Sequence, residues 1–202
     1  MVQRAHRLVE AVGPQRVCLG FRGGYQAYAD GGGHALGGVT VRGGKVEGRE
    51  QVEMVMQAKR VTLERVVVRN VEGTGRSLCE ELTMNKCVKN RLEILKIVKR
   101  LDKIKKLTLL KPDKYLMVMI LRDLKIDNIT DFTFEGRYDR DYIFMWFLNL
   151  SLISKMPTLA HLSLTFPLGE PRLMMKLKLS HLFNQLPLSH RLTTLTLKLP
   201  YN

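Results

Sequence analysis

Leu107-Thr-Leu-Leu-Lys-Pro112, Leu162-Ser-Leu-Thr-Phe-Pro167 and Leu195-Thr-Leu-Lys-Leu-Pro200 are the three stretches that decide the fold of this chain. They share one six-residue phrase: an apolar residue, a hydroxyl residue, an apolar residue, two variable residues and a proline. A further apolar residue stands three positions before each phrase, at Ile104, Leu159 and Leu192. The common pattern is therefore L-x-x-L-x-L, and its recurrence indicates an internal repeat.

The same pattern occurs in the rest of the chain. Its other copies are Leu36-x-x-Val39-x-Val41, Leu63-x-x-Val66-x-Val68, Cys79-x-x-Leu82-x-Met84 and Ile129-x-x-Phe132-x-Phe134, and Val17 with Leu19 gives an eighth. The central apolar residues of the eight copies stand at positions 17, 39, 66, 82, 107, 132, 162 and 195. Hydroxyl residues recur between the paired apolar residues, as Thr40, Thr83, Thr108, Thr133, Ser163 and Thr196. The step from Val66 to Leu82 is the shortest and leaves too little chain for a strand, a helix and a turn, so the frame is weakest there.

Alternation within each phrase predicts a short strand, because successive side chains of a strand point to opposite faces. One such strand cannot bury its apolar face alone, whereas parallel neighbours bury a continuous core and require a helix between them. Apolar residues at helical spacing predict helices over 90–101, 113–123, 139–154 and 172–186. Asp113 is placed to cap the second of these after Pro112. The fold class expected is α/β, with parallel strands on one side and helices on the other.

Two of these copies are most distinctive when their flanking residues are included, as Met156-Pro-Thr-Leu-Ala-His-Leu-Ser-Leu164 and Leu82-Thr-Met-Asn-Lys-Cys87. In these phrases residues 60–202 resemble the irregular leucine-rich repeats of F-box substrate receptors and ribonuclease-inhibitor-like proteins. The resemblance implies a solenoid with a concave strand face, a convex helical side, a protein partner on the concave face and no cofactor. The three helices of an F-box are not found ahead of the repeats, so a ubiquitin-ligase role is not implied.

The two ends of the chain carry separate expectations. Residues 1–59 are predicted to be degenerate repeats, because the stretch from Gly20 to Gly48 contains eleven of the sixteen glycines. Residues 60–202 are predicted to be the regular array. After Leu199 only Pro200, Tyr201 and Asn202 follow. The last repeat is thus expected to be capped by a partner or by another copy of the chain, or else the chain is a fragment of a longer array.

Outward-facing residues of the predicted strands define a candidate binding face for a protein partner. Those with polar or charged side chains suited to such contacts are Arg42, Arg65, Arg69, Glu81, Asn85, Lys106, Asp131, Glu135 and His161. The frame predicts a face that is basic toward the N-terminal side and acidic at Asp131 and Glu135. A protein-interaction scaffold or substrate-recognition module is the function expected, and a solvated face without a partner is the alternative.

Nucleic-acid association is a second functional hypothesis, because the formal net charge is +14. Much of that excess lies in a basic segment, residues 86–114. Its eleven basic residues are Lys86, Lys89, Arg91, Lys96, Lys99, Arg100, Lys103, Lys105, Lys106, Lys111 and Lys114, against Glu93, Asp102 and Asp113. Aromatic side chains, which single-strand binders use for base stacking, are not interleaved with these cations. Lysines on the outer side of helices are commonly only solvated. The ribonucleoprotein hypothesis therefore stands beside the scaffold hypothesis.

Catalysis, metal binding and a cofactor site are not expected. The five histidines are scattered, and neither a His-Glu-x-x-His nor a Gly-x-Ser-x-Gly motif nor a phosphate-binding glycine loop occurs. The longest apolar stretch, residues 142–153, is too short to span a bilayer, so no membrane contact is expected. Three irregularly spaced cysteines fit a reducing cytoplasmic or nuclear compartment, with a mitochondrial presequence as the alternative.

Overall fold

The computed structural model describes residues 16–17, 24–29, 36–71, 77–87, 91–136, 153, 156–165 and 191–198. Its strands are β1 (Arg16–Val17), β2 (Gly24–Ala29), β3 (Leu36–Arg42), β4 (Lys45–Glu47), β5 (Ala58–Glu64), β6 (Val67–Arg69), β7 (Glu81–Asn85), β8 (Lys106–Leu110), β9 (Asp131–Glu135), β10 (His161–Thr165) and β11 (Thr194–Lys198). Its helices are α1 (Gly48–Gln57), α2 (Arg91–Val98) and α3 (Lys114–Asp123), followed by a 3-10 turn over Ile126–Asn128.

Nine strands form one open sheet in the order β1-β2-β3-β5-β7-β8-β9-β10-β11. From β3 onward every neighbouring pair is parallel, so seven strands run in the same direction. The prediction of an α/β fold with parallel strands is confirmed. Strands β4 and β6 form a separate parallel pair beside the main sheet.

Alternate residues of the parallel strands are buried, as the repeat pattern predicts. Leu107 and Leu109 are fully buried, and Phe132, Phe134, Leu162 and Leu164 are at most 2% exposed. These residues form one core cluster with helical residues such as Ile94 and Ile97, so the helices cover the apolar face of the sheet. Burial of each large apolar side chain contributes about 1.5–3 kcal/mol. Leu195 and Leu197 of β11 are only half-buried against this cluster.

Two of the predicted helices form with nearly the expected bounds. Helix α2 lies within the predicted range 90–101, and α3 follows Asp113, whose carboxylate accepts hydrogen bonds from the backbone N–H groups of Tyr115 (3.1 Å) and Leu116 (3.2 Å). Of the apolar residues at helical spacing that predict α2, Leu95, Val98 and Leu101 are buried, whereas Leu92 is 70% exposed. Ile94 and Ile97 are buried beside them. The predicted helices over 139–154 and 172–186 lie outside the described residues, apart from the buried Ile153.

The predicted position of the third strand of the frame is wrong. Strand β5 is centred on Val61 and Leu63, five residues before the predicted Val66 and Val68. With Val61 as the marker, the steps from Val39 to Val61 and from Val61 to Leu82 become nearly equal, which removes the irregular step. Val66 and Val68 are nevertheless buried, because the chain turns after β5 and enters β6. A helix that was not predicted, α1, connects β4 to β5 and buries Val52, Val55 and Met56.

The first strands do not continue the parallel order. Strand β1 pairs antiparallel with β2, and β2 pairs antiparallel with β3, so the predicted parallel copy at Val17 and Leu19 is corrected. Only six residues join β2 to β3, whereas a parallel crossover needs about a dozen or more. A connection of that length returns the chain as an antiparallel hairpin. The predicted boundary between residues 1–59 and 60–202 falls inside β5.

Candidate functional site

Three rows of outward-facing residues cross the seven parallel strands on the side opposite the core. The first row is Gly38, Arg60, Glu81, Lys106, Asp131, His161 and Thr194. The hydroxyl row is Thr40, Thr62, Thr83, Thr108, Thr133, Ser163 and Thr196. The third row is Arg42, Glu64, Asn85, Leu110, Glu135, Thr165 and Lys198. Together they are called the strand face.

Charges alternate along the first row. Arg60, Glu81, Lys106 and Asp131 occupy four successive strands in direct register. Opposite charges facing one another across strands stabilise a sheet by about 0.2–1 kcal/mol per pair. Asp131 also accepts a hydrogen bond from the hydroxyl of Thr130 at 2.7 Å, which fixes its carboxylate. The four charged residues of the first row therefore compensate one another, and a hydrogen bond fixes the Asp131 carboxylate.

The third row contains two anchored carboxylates. Glu64 lies 3.2 Å from the Arg42 guanidinium and accepts a hydrogen bond from the Asn85 side-chain amide at 3.5 Å. Glu135 lies 2.9 Å from the ammonium group of Lys111, the residue that follows β8. Both carboxylates are thus compensated by cations of the same surface.

The formal charge of the strand face cancels. Its four basic residues are Arg42, Arg60, Lys106 and Lys198, and its four acidic residues are Glu64, Glu81, Asp131 and Glu135. The whole chain carries +14, so its excess of positive charge lies off this face. The prediction that the face is basic toward its N-terminal side is therefore wrong, because positive and negative charges alternate there.

The hydroxyl row runs through the middle of the strand face without interruption. Six of its seven hydroxyl side chains are half-buried and Thr196 is exposed. Seven strands at about 4.8 Å spacing give the row a length of about 29 Å. Serine and threonine are shorter than the charged residues on either side, and each can both donate and accept a hydrogen bond. The centre of the face is therefore a strip of short polar groups between two rows of longer ones.

Most of the predicted partner-binding residues lie on this face. Glu81, Lys106, Asp131 and His161 stand side by side in the first row, and Arg42, Asn85 and Glu135 belong to the third row. Arg65 and Arg69 do not, because the strand they were assigned to begins five residues earlier. Arg65 is the first residue after β5, and the exposed Arg69 ends β6 beside Glu47 of β4.

Three residues that were not predicted occupy the face in their place: Arg60, Thr62 and Glu64. A signal for them was present in the hydroxyl pattern. The predicted third strand put Val67 where every other parallel strand has serine or threonine, whereas Thr62 completes the row. A continuous hydroxyl row and even spacing together would have selected Val61 over Val66.

A fourth row, here called the turn row, follows the third row at the ends of five strands: Gly43, Arg65, Lys86, Lys111 and Gly136. The backbone N–H of each donates to the carbonyl that ends the next strand, as in Arg65 to Asn85 (2.8 Å), Lys86 to Leu110 (3.0 Å) and Lys111 to Glu135 (2.7 Å). These backbone hydrogen bonds hold the residues of the turn row in the same register as the strands that they follow. Gly43, Arg65, Lys86 and Lys111 all have positive φ, between 47° and 61°.

The described cations of the basic segment, residues 86–114, lie on several elements of the structure. They are divided between α2, the connection to β8, β8 itself and the turn row. Several of them form ion pairs: Lys96 with Glu93 (2.6 Å), Lys99 with Asp123 (3.4 Å), Lys105 with Glu80 (3.4 Å) and Lys111 with Glu135 (2.9 Å). The Lys96 side chain holds the pKa of Glu93 below its usual value, with a backbone hydrogen bond from Val71 adding to the effect.

Cys79 and Cys87 are buried structural thiols. The Cys79 thiol donates to the Glu81 carbonyl two residues further on (3.3 Å), and the Cys87 thiol donates to the Leu63 carbonyl of the neighbouring strand β5 (3.3 Å). Burial raises the pKa of Cys79 to about 12 and also raises the pKa of Cys87. A thiol in this state is a poor nucleophile, because the thiolate is the reactive form.

Among the described residues, His, Cys, Asp and Glu side chains nowhere gather in a group of three or more that could hold a metal ion. In the same part of the chain, no helix combines the length and the apolar character that crossing a membrane requires. Comparison with family models, with curated proteins and with solved structures gives no match for this chain.

Proposed function

We propose that this chain is a leucine-rich-repeat-like solenoid whose strand face binds a protein partner. The observation that carries the proposal is the strand face itself: three rows in register over seven parallel strands, polar at every position except Gly38 and Leu110, with cancelling charge and a central strip of hydroxyl groups. The order of the strands follows the order of the chain from β3 to β11, which is the arrangement expected of stacked repeats.

The chemistry of the face supports a protein ligand over a phosphate backbone. Four carboxylates are spread along the face, and each would repel a nearby phosphate. A folded protein surface or a peptide can instead pair its own charges with both signs and hydrogen-bond its polar groups to the hydroxyl row. Electrostatic complementarity of this kind confers specificity and register more than raw affinity.

A blocking substitution at the centre of the face tests the proposal. Thr108 is the middle residue of the hydroxyl row, and replacing it in Thr108→Arg places a long charged side chain over the short strip without touching the core. The matched control is Gln57→Arg, which adds the same charge at an exposed position at the end of α1. Proteins are captured from nuclease-treated lysate by the two variants and by the unsubstituted chain.

Specific partners should be retained by the unsubstituted chain and by Gln57→Arg and lost from Thr108→Arg. Retention by all three would overturn the assignment of the strand face. Association with nucleic acid is the alternative function. It is separated by a salt titration without nuclease, because phosphate-driven binding falls steeply between 50 and 200 mM salt, by about 10³–10⁵ for six to ten contacts.

A further inference from the structure

We propose that Arg65 and Lys86 of the turn row, with Lys111 beside them, form a docking site for an acidic extended peptide segment of the partner. The inference rests on the proposed function, since it places an anchor point at the border of the strand face. It begins from two unfavourable features that coincide at these three positions.

The first unfavourable feature is the backbone conformation. Arg65, Lys86 and Lys111 have φ of 52°, 52° and 47°. A side chain in this left-handed region costs roughly 1–2 kcal/mol. Glycine avoids that steric cost, and Gly43 occupies the same row at the end of β3 with φ of 61°, so glycine fits the position. The chain nevertheless carries long basic side chains at three successive places.

The second unfavourable feature is like charge on adjacent strands. The hydrogen bonds from Arg65 to Asn85 and from Lys86 to Leu110 hold the three backbones in register, at the strand spacing of about 4.8 Å. Like charges directly opposite one another destabilise a sheet. Within the described residues neither Arg65 nor Lys86 forms an ion pair, whereas Lys111 pairs with Glu135. Two cations therefore stand without an intramolecular carboxylate in the part of the chain that the structure describes.

Residues that keep a strained backbone conformation are concentrated at ligand-binding and active sites, where function offsets the cost. An external carboxylate would remove the second unfavourable feature here, because it screens the repulsion and supplies the missing partner, and its binding free energy would offset the backbone strain. Arg65 is exposed, and the Lys111 side chain is 45% exposed, so the row can be reached from solvent. The exposed ion pair of Lys111 is worth only about 0–1 kcal/mol, so an incoming carboxylate can replace Glu135 as its partner.

The neighbourhood favours a peptide over a nucleic acid. The outward rows of β3 and of β5 to β11 contain no aromatic side chain for base stacking. The three cations extend over two strand spacings, about 10 Å. An extended peptide that rises about 3.3 Å per residue can place two or three carboxylates within the same length.

The test measures binding of the full chain to a fluorescent peptide of five Glu-Ser pairs by anisotropy at low ionic strength. Arg65→Asn with Lys86→Asn removes both unpaired cations, and asparagine is among the few residues that tolerate positive φ. The matched control is Lys103→Asn with Lys125→Asn, which removes the same charge at two exposed positions away from the turn row. Urea denaturation of each variant reports on folding.

We expect at least a tenfold loss of affinity in the Arg65 and Lys86 variant, less than twofold in the control, and no loss of stability in either. An equal loss in both variants would overturn the site. So would equal binding of a peptide of five Gln-Ser pairs, or tighter binding of a ten-nucleotide uridine RNA through the same two residues. If Thr108→Arg abolishes partner capture while the Arg65 and Lys86 variant leaves both peptide binding and capture unchanged, the proposed function stands and this inference fails.

Discussion

Replacing Leu107 by alanine should cost about 3 kcal/mol of folding free energy, whereas replacing its neighbour Thr108 by alanine should cost less than about 1 kcal/mol. Leu107 is fully buried and lies in register between Leu82 and Phe132, so its removal leaves a cavity at the centre of the sheet. Buried leucine-to-alanine changes cost about 2–5 kcal/mol, because both the transfer free energy and the packing around the cavity are lost.

The assay is urea denaturation followed by far-UV circular dichroism. With a slope of about 2–3 kcal/mol per molar urea, the Leu107→Ala midpoint should fall by about 1–1.5 M while the slope stays constant. The Thr108→Ala midpoint should move far less, because the Thr108 side chain lies on the outer face of the sheet. Equal destabilisation by the two substitutions, or a larger effect at Thr108, would refute the alternation of inward and outward residues.

Three further predictions concern the cap, the buried thiol and the surface ion pairs. Asp113→Ala should destabilise the chain by about 1 kcal/mol in the same denaturation assay, because α3 loses two backbone hydrogen bonds, whereas Asp127→Ala at an exposed position should change stability by less than half of that. The pKa of Cys79 is raised from 9.0 to about 12 in the folded chain. The unfolded chain therefore loses the thiol proton at lower pH, and the free energy of unfolding should fall as pH rises through that range. The Cys79→Ala variant should show a smaller fall between pH 8 and pH 10. Lys105→Ala should change the urea midpoint negligibly, because its ion pair with Glu80 is exposed on both sides, and a marked loss would show that the pair is structurally important.

The strands that sequence could predict are those whose apolar pairs have no competing pattern nearby. Around Leu107, Phe132 and Leu162 only one choice of L-x-L satisfies the repeat, and the structure has strands at all three. Around residues 58–68 two choices satisfy it, because Val61 with Leu63 and Val66 with Val68 are both alternating buried pairs. Local periodicity cannot separate a strand of the main sheet from the short strand that follows it, since both bury an alternating pair of apolar residues.

At the hairpin that begins the sheet, the direction of the strands is decided by the length of the connection between β2 and β3. Six residues between β2 and β3 permit only an antiparallel return, but no strand was predicted over Gly24–Ala29, so this length did not enter the parallel assignment of the first copy. Strand periodicity itself carries no information about direction, because side chains alternate in both kinds of sheet.

The residues of the candidate site were predicted correctly on those strands whose positions were predicted correctly. Seven of the nine proposed contact residues lie on the strand face, and the two that do not, Arg65 and Arg69, follow from the single misplaced strand. The turn row was not predictable, because its distinguishing property is a backbone angle. Arginine and lysine have no sequence signature for positive φ, unlike glycine, and the position became visible only from the dihedral angles.

The agreement between chain order and sheet order has a consequence for how such a surface can change in size. Leu82, Leu107 and Phe132 are evenly spaced along the chain and occupy matching positions on three adjacent strands. Excision of the segment from position 107 to position 131 would bring Phe132 beside Leu82 with the inward and outward residues of every neighbour still matched. Duplication or deletion of one such unit in a gene could therefore lengthen or shorten the surface by about 4.8 Å at a time without redesigning the remainder.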